Sequence, residues 1–196
     1  MSYSQGDEEK YILQAVKNIA REHGRFLDIG AWHPTNLSNT RALFERGWSG
    51  VMVEPSPEPL LVLLREYGNE DRIQLLSGAV AVDRSITRFH ATSDALTTSS
   101  EESYERWKGV GGFYGSFYVP VITIPEILHR FGDFDFVSID AEGSSVDLLH
   151  ALLATEMRPA AICVEYDFRS EECIHSAGQK GYRMLYTSSE NVVFAR

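Results

Sequence analysis

The chain has 196 residues, 43% of them hydrophobic and 23% charged. That balance is ordinary for a globular protein and excludes disordered, collagenous and disulfide-scaffold classes. Eighteen basic against 28 acidic residues leave a formal net charge of −10, so neither a nucleic acid nor a membrane surface is an expected partner, since both call for clustered Lys and Arg.

The length suits a single domain over residues 1–196. The two cysteines, Cys163 and Cys173, lie ten residues apart and match no metal-binding spacing. Cys163 sits in the apolar run from Ala160 to Val164 and reads as a buried, inert thiol. The start, MSYSQGDEEKY, has neither a cationic nor an apolar leader region, and the longest apolar runs, such as Leu60 to Leu64, are too short to span a bilayer. A cytoplasmic protein is the expectation.

An N-terminal helix is expected within residues 1–23. Over residues 7–22, Ile12, Ala15, Val16 and Ile19 fall at helical spacing, and Gly24 ends the run. Arg25 to Ile29 reads as a short buried strand stopped by Gly30, and residues 38–46 as a helix closed by Gly47. Gly50 to Val53 forms a second strand, ending at Glu54-Pro55. A proline-started helix runs to about Tyr67. Ile73 to Val82 predicts one further strand and Ile86 to His90 another. Residues 92–117 predict a long loop, which in a compact domain is a functional feature; a substrate lid is the expectation. Tyr118–Thr123 is strand-like, Pro125–Arg130 helical and Phe134–Asp140 a buried strand. A helix with Val146, Leu148, Leu149, Leu152 and Leu153 follows. Then come a strand over 160–166, a helix over 169–180, and a terminal hairpin, Tyr182–Thr187 with Val192–Ala195.

Alternating strands and helices imply an α/β fold: a mostly parallel twisted sheet with helices on both faces and a C-terminal antiparallel hairpin. Ligands of such sheets bind beyond the carboxyl ends of the strands. Asp28-Ile29-Gly30, Glu54-Pro55, Asp140-Ala141-Glu142-Gly143 and Glu165-Tyr166-Asp167 occupy those ends. The first turn is not a GxGxxG, which disfavours a nicotinamide dehydrogenase. A single Gly30 lets a ligand approach the backbone, and the acid just before it would repel a phosphate but suit a cationic ligand such as the sulfonium of S-adenosylmethionine. Glu54 lies 26 residues past Asp28, a place from which an acid can hold ribose hydroxyls.

The segments Asp28-Ile29-Gly30-Ala31, Ser38-Asn39-Thr40, Glu45 to Gly50, Glu54-Pro55-Ser56-Pro57, Gly78-Ala79-Val80 and Ser138 to Gly143 together resemble the FkbM family of S-adenosylmethionine-dependent methyltransferases, over residues 24–195. The resemblance implies a Rossmann-like methyltransferase sheet that acts on hydroxyls of sugars or natural products. It implies that Asp28, Gly30 and Ala31 line the methionine part of the cofactor, and that Glu54 holds the ribose beside Pro55 and Ser56. It implies too that Gly78 and Ala79 border the adenine and that Asn39 joins the cofactor set through its motif. Trp32-His33 stands where many relatives have smaller or polar residues.

Methyl transfer to a hydroxyl requires alignment and removal of a proton. Asp140 and Glu142 are candidates for that work, and His33 is a candidate base. Asp140 and Glu165, at neighbouring strand ends, are candidate ligands for a hard cation such as Mg2+. Aromatic residues of the expected lid, namely Tyr104, Trp107, Phe113, Tyr114, Phe117 and Tyr118, are candidates to face the acceptor, with Gly109, Gly111, Gly112 and Gly115 as hinges. An O-methyltransferase with a hydroxylated small-molecule acceptor is the leading expectation, and homodimerisation is compatible with it. A protein or nucleic-acid acceptor, and a non-catalytic module on the same fold, are the alternatives.

Overall fold

The computed structural model describes residues 2–17, 19, 23–83, 85–93, 95–110 and 112–196. In chain order its elements are α1 (Glu8–Val16), β1 (Arg25–Ile29), α2 (Arg41–Glu45), β2 (Ser49–Glu54), α3 (Pro57–Tyr67), β3 (Ile73–Ser77), β4 (Ala79–Val80) and β5 (Ile86–Ala91). There follow α4 (Glu101–Trp107), β6 (Gly115–Ile122), α5 (Ile124–Phe131), β7 (Phe136–Ile139), α6 (Ser145–Ala154), β8 (Ala161–Glu165), α7 (Ser170–Gln179), β9 (Arg183–Thr187) and β10 (Asn191–Ala195).

Seven strands form one sheet in the order β3-β2-β1-β7-β8-β10-β9. The first five run parallel; β10 is antiparallel to both β8 and β9. The central strands are buried on both faces, so they read as continuous apolar runs rather than alternating ones. Successive residues still point to opposite sides. Leu27, Ile29, Val51 and Val53 join a core with α5, α6 and α7, while Phe26 and Met52 join a second core with α1, α2 and α3. This is the expected doubly covered sheet with its C-terminal hairpin. Cys163 and Cys173 are both free and buried.

Three expectations need correction. The first helix is described only over Glu8–Val16; of its expected continuation, Asn18, Ala20, Arg21 and Glu22 lie outside the described residues. The strand expected over Ile73–Val82 is two strands. Gly78 donates its N–H to the Glu54 carbonyl at 3.2 Å, and beyond it Ala79 and Val80 leave β2's edge to pair with β6 in a separate sheet ordered β4-β6-β5. The segment 92–117 is not wholly loop: it contains α4 and the beginning of β6. Ser100 caps α4, its Oγ accepting from Ser103 N at 3.2 Å. No residue of α4 is buried, so no apolar stripe announced the helix. Among the described residues no helix is long and apolar enough to cross a membrane.

The two-faced core makes a direct prediction. Phe136 is fully buried in β7, so Phe136→Ala is expected to lower unfolding free energy by about 3–5 kcal/mol. Met184, 46% exposed on the outer strand β9, is expected to tolerate Ala within about 0.5 kcal/mol. Urea titration of both variants checks the contrast.

Candidate active site

Strand order reverses between β1 and β7, and that switch point opens a crevice at the carboxyl ends. Its floor depends on Gly30. Asp140 N donates to Ile29 O at 2.9 Å, drawing the two strand ends together. Gly30 has φ 80°, and a Cβ built there would lie 1.7 Å from the Asp140 carbonyl oxygen. Only glycine fits. Gly30 N and Ala31 N in turn both donate to Val53 O, at 3.0 and 3.2 Å, which ties in the end of β2.

Asp28 is 5% exposed beneath this turn. Its Oδ2 accepts from Thr40 Oγ1 at 2.5 Å, and Ser138 also hydrogen-bonds to it. Asn39 Nδ2 donates to Ser138 Oγ at 3.3 Å, extending the network. Burial, with the nearby charge of Asp140 adding, pushes the Asp28 carboxyl up to about 6; the hydroxyl partners offset part of that rise. Glu54 is 4% exposed. Its Oε2 accepts from Trp32 N at 2.9 Å and its Oε1 from Ser56 N at 2.7 Å. Burial raises its pKa too, against those same amides. Each carboxylate oxygen has a second lone pair, so Glu54 can hold both loops and still accept from a ligand.

These carboxyls border one crevice, a concave setting of the kind in which ligands bind. All nine residues expected at the cofactor line it: Asp28, Gly30, Ala31, Asn39, Glu54, Pro55, Ser56, Gly78 and Ala79. Asp140 and Glu142 line it as well. Ala95, Thr97 and Ser99, from the expected lid, form part of its wall with Phe89 of β5.

Beside the crevice, Asp140, Glu142 and Glu165 each offer a carboxylate oxygen, all within 4.8 Å of one another. Asp140 retains surface in the crevice, but protein atoms surround its carboxyl on most sides. Burial raises its pKa, and the charges of Asp167, Glu190 and Glu54 raise it further; a hydrogen bond with Glu165 works the other way. Glu165 is raised much more, by burial first and then by Asp140, Glu142 and Asp167. Two carboxyls this close share a proton rather than ionise together, which is why burial and mutual charge raise both. Asp167 accepts from Gly143 N at 2.8 Å and Ser145 N at 2.9 Å, at the start of α6.

Other expected residues lie elsewhere. His33 lines neither this crevice nor its neighbour. Its Nδ1 accepts from Thr35 N at 3.1 Å and Asn36 N at 3.0 Å, and burial lowers its pKa. It holds a turn. Among the lid aromatics, Tyr104 stacks on His90 with centroids 3.8 Å apart, and Phe113 packs edge-on against both. Phe117 stacks on Phe89. Of the six, only Trp107 lines the neighbouring cleft. Gly111 lies outside the described residues. The supports Thr40 and Ser138 carried no chemical signal of their own in the sequence.

Solved structures share this architecture. The chain matches a precorrin-6y C5,15-methyltransferase from Geobacter metallireducens at 12% identity and TM-score 0.51, covering 96% of this chain and 86% of the other. It matches a putative RNA methyltransferase from Pyrococcus horikoshii at 10% identity and TM-score 0.50, covering 100% and 85%. The METTL16 MTase domain matches at 10% identity and TM-score 0.54, covering 95% and 65%. A search of curated proteins gave no match. Sheet order and these matches define a Rossmann-like methyltransferase fold. The family model for the methyltransferase FkbM domain matches residues 28–180, and the chain belongs to that family.

Asp28 has a measurable signature. From its ordinary 3.8 to about 6, the folded chain holds a proton that the unfolded chain has released. Its contribution to stability is therefore full below about pH 4 and falls as pH rises through about 6, by about 3 kcal/mol in all. Asp28→Asn is expected to remove that loss, so its melting-temperature advantage over the parent grows between pH 4 and 7 in the absence of ligand. Parallel melting curves that keep a constant gap would contradict this.

Proposed function

We propose that the protein methylates a hydroxyl group of a sugar-like or natural-product small molecule, with S-adenosylmethionine as donor. The observation that carries this reading is the convergence of Asp28, Glu54 and Asp140 on one crevice whose floor is bare backbone at Gly30. A Cβ there would collide with the Asp140 carbonyl. The residues fit the group: the buried Asp28 carboxyl suits a ligand that is cationic at its sulfonium and amino ends, and lone pairs on Glu54 suit ribose hydroxyls. Asn39, Pro55, Ser56, Gly78 and Ala79 complete the walls, with Gly78 and Ala79 on the adenine side.

Bound S-adenosylmethionine supplies an electrophilic methyl, and its transfer to a hydroxyl oxygen releases S-adenosylhomocysteine and one proton. Asp140 is placed to take that proton. Its raised pKa makes it a stronger base than an ordinary aspartate, and a base works best when its pKa nears the operating pH. Glu165 keeps Asp140 oriented through their hydrogen bond, and Glu142 stands at the crevice rim toward the acceptor. His33 is left out of the proton path because its Nδ1 is engaged in the turn. The net charge of −10 favours a small acceptor over a nucleic acid.

Glu54→Ala is expected to weaken S-adenosylmethionine binding by about 1.5–3 kcal/mol, roughly 10- to 150-fold, measured by calorimetry. Asp140→Asn is expected to slow methyl transfer to a panel of hydroxylated acceptors by roughly 100-fold or more, with cofactor affinity within about twofold of the parent. Cofactor binding with no transfer to any acceptor class would favour a non-catalytic module.

A second reading adds a cation. The three carboxylate oxygens of Asp140, Glu142 and Glu165 form an all-oxygen set of the kind Mg2+ takes. The shared-proton arrangement needs no metal. Activity that survives exhaustive chelation would leave the proton-sharing pair as the answer, and activity lost and then restored by Mg2+ would replace it.

A further inference from the structure

Helix α3 is apolar on two sides. Its inner side is accounted for: Leu63 and Tyr67 are fully buried and share a core with Phe26 and Met52. On the opposite side Pro57, Leu61, Leu64 and Gly68 follow one another at spacings of four, three and four residues. At 100° per residue those spacings set them in one stripe along the helix. All four are exposed, Leu61 at 52% and Leu64 at 45%. A surface helix ordinarily turns polar residues to water there. Within a single chain these two leucines contribute little burial.

The charges beside the stripe say what covers it. Glu58 and Arg65 are seven residues apart, close to two full turns, so they lie on the same flank of the stripe and toward its opposite ends. Both are exposed. Among the described residues neither has an ion-pair partner, whereas the adjacent Glu66 is held by Arg41 at 2.6 Å. An acid in the first turn and a base in the last also suit the helix dipole, but the dipole asks nothing of the leucines between them.

We propose that the solvent face of α3 docks on α3 of a second copy of this chain, as a two-fold antiparallel helix pair. A two-fold axis crossing the stripe between Leu61 and Leu64 seats the leucines of one copy on those of the other. It also keeps like flanks together and reverses their order. Glu58 then meets Arg65 of the partner subunit, and Arg65 meets the partner's Glu58. A parallel pair would bring unlike flanks together and leave both charges unmet. The acid-to-base order of this helix is thus complementary to itself, and that selects a copy of the chain over an unrelated protein. Pro57 and Gly68, with little side chain, let the two axes approach at the ends of the contact. The surface is small, so the dimer is weak and depends on concentration.

Sedimentation velocity on the full chain, over a concentration series, tests this. A single monomer–dimer equilibrium is expected, with a dissociation constant of about 10–100 μM. Leu61→Gln combined with Leu64→Gln is expected to leave a monomer throughout, with an unchanged melting temperature because both side chains lie at the surface. Glu58→Lys alone and Arg65→Glu alone are each expected to weaken self-association about tenfold, since each sets like charges together twice in a two-fold pair. An equimolar mixture of those two variants is expected to recover the parent's affinity within about threefold, because every acid then faces a base across the contact. Mixing cannot repair a folding defect, so the recovery separates docking from helix stability. A parent that stays monomeric would overturn the proposal and leave the stripe to a partner of another kind. A dimer indifferent to the two leucines would overturn it too, as would charge variants that do not recover when mixed.

Discussion

The contact of Gly30 with the Asp140 carbonyl is the constraint on which the rest of the site depends. Two parallel strands can end side by side at the switch point only if one turn presents no side chain to the other. Once they do, Asp28 below, Glu54 from β2 and Asp140 from β7 are forced around one small space. Burying several carboxyls together is costly unless each is hydrogen-bonded or neutralised. The molecule does both. Asp28 has Thr40 and Ser138, Glu54 has two backbone amides, and Asp140 shares a hydrogen bond with Glu165. The remaining negative field favours a cationic ligand.

Much of this was legible in the sequence. The acids at strand ends stood out because a carboxylate at the edge of an apolar run has no packing role. The alternation of elements also indicated the doubly covered sheet. What stayed hidden was local. Ile73 to Val82 looks like one strand because β-propensity does not register a change of partner; the break at Gly78 is set by a tertiary hydrogen bond to Glu54 O. Helix α4 stayed hidden because it buries nothing. Thr40 and Ser138 are ordinary residues until the fold aims them at Asp28.

The segment expected as a lid divides its labour. Its first part walls the cofactor crevice through Ala95, Thr97 and Ser99. The helix that follows is pinned from several sides. Tyr104 stacks on His90, Glu101 meets His90 Nε2 at 3.0 Å, and Thr98 Oγ1 donates to Glu142 O at 2.5 Å. Gly143 lets α4 approach, for a Cβ there would lie 2.4 Å from Ser103 Oγ. Three of the six rings first considered for the acceptor, Tyr104, Phe113 and Phe117, are thus fasteners for this segment, and Trp107 is the one turned to the neighbouring cleft.

Strand β10 follows β9 in the chain yet lies inside the sheet, between β9 and β8. Both of its long sides carry ladders, and all five of its residues are buried. Strand β9 therefore joins the sheet only through β10. Without β10, β8 would present an open, apolar edge, Ala-Ile-Cys-Val. Closure also makes a platform for α1, whose Ile12 and Val16 pack in the same core as Val193. The two ends of the described chain thus meet in one packed unit, and a chain lacking it would leave the β8 edge open to pairing with another chain.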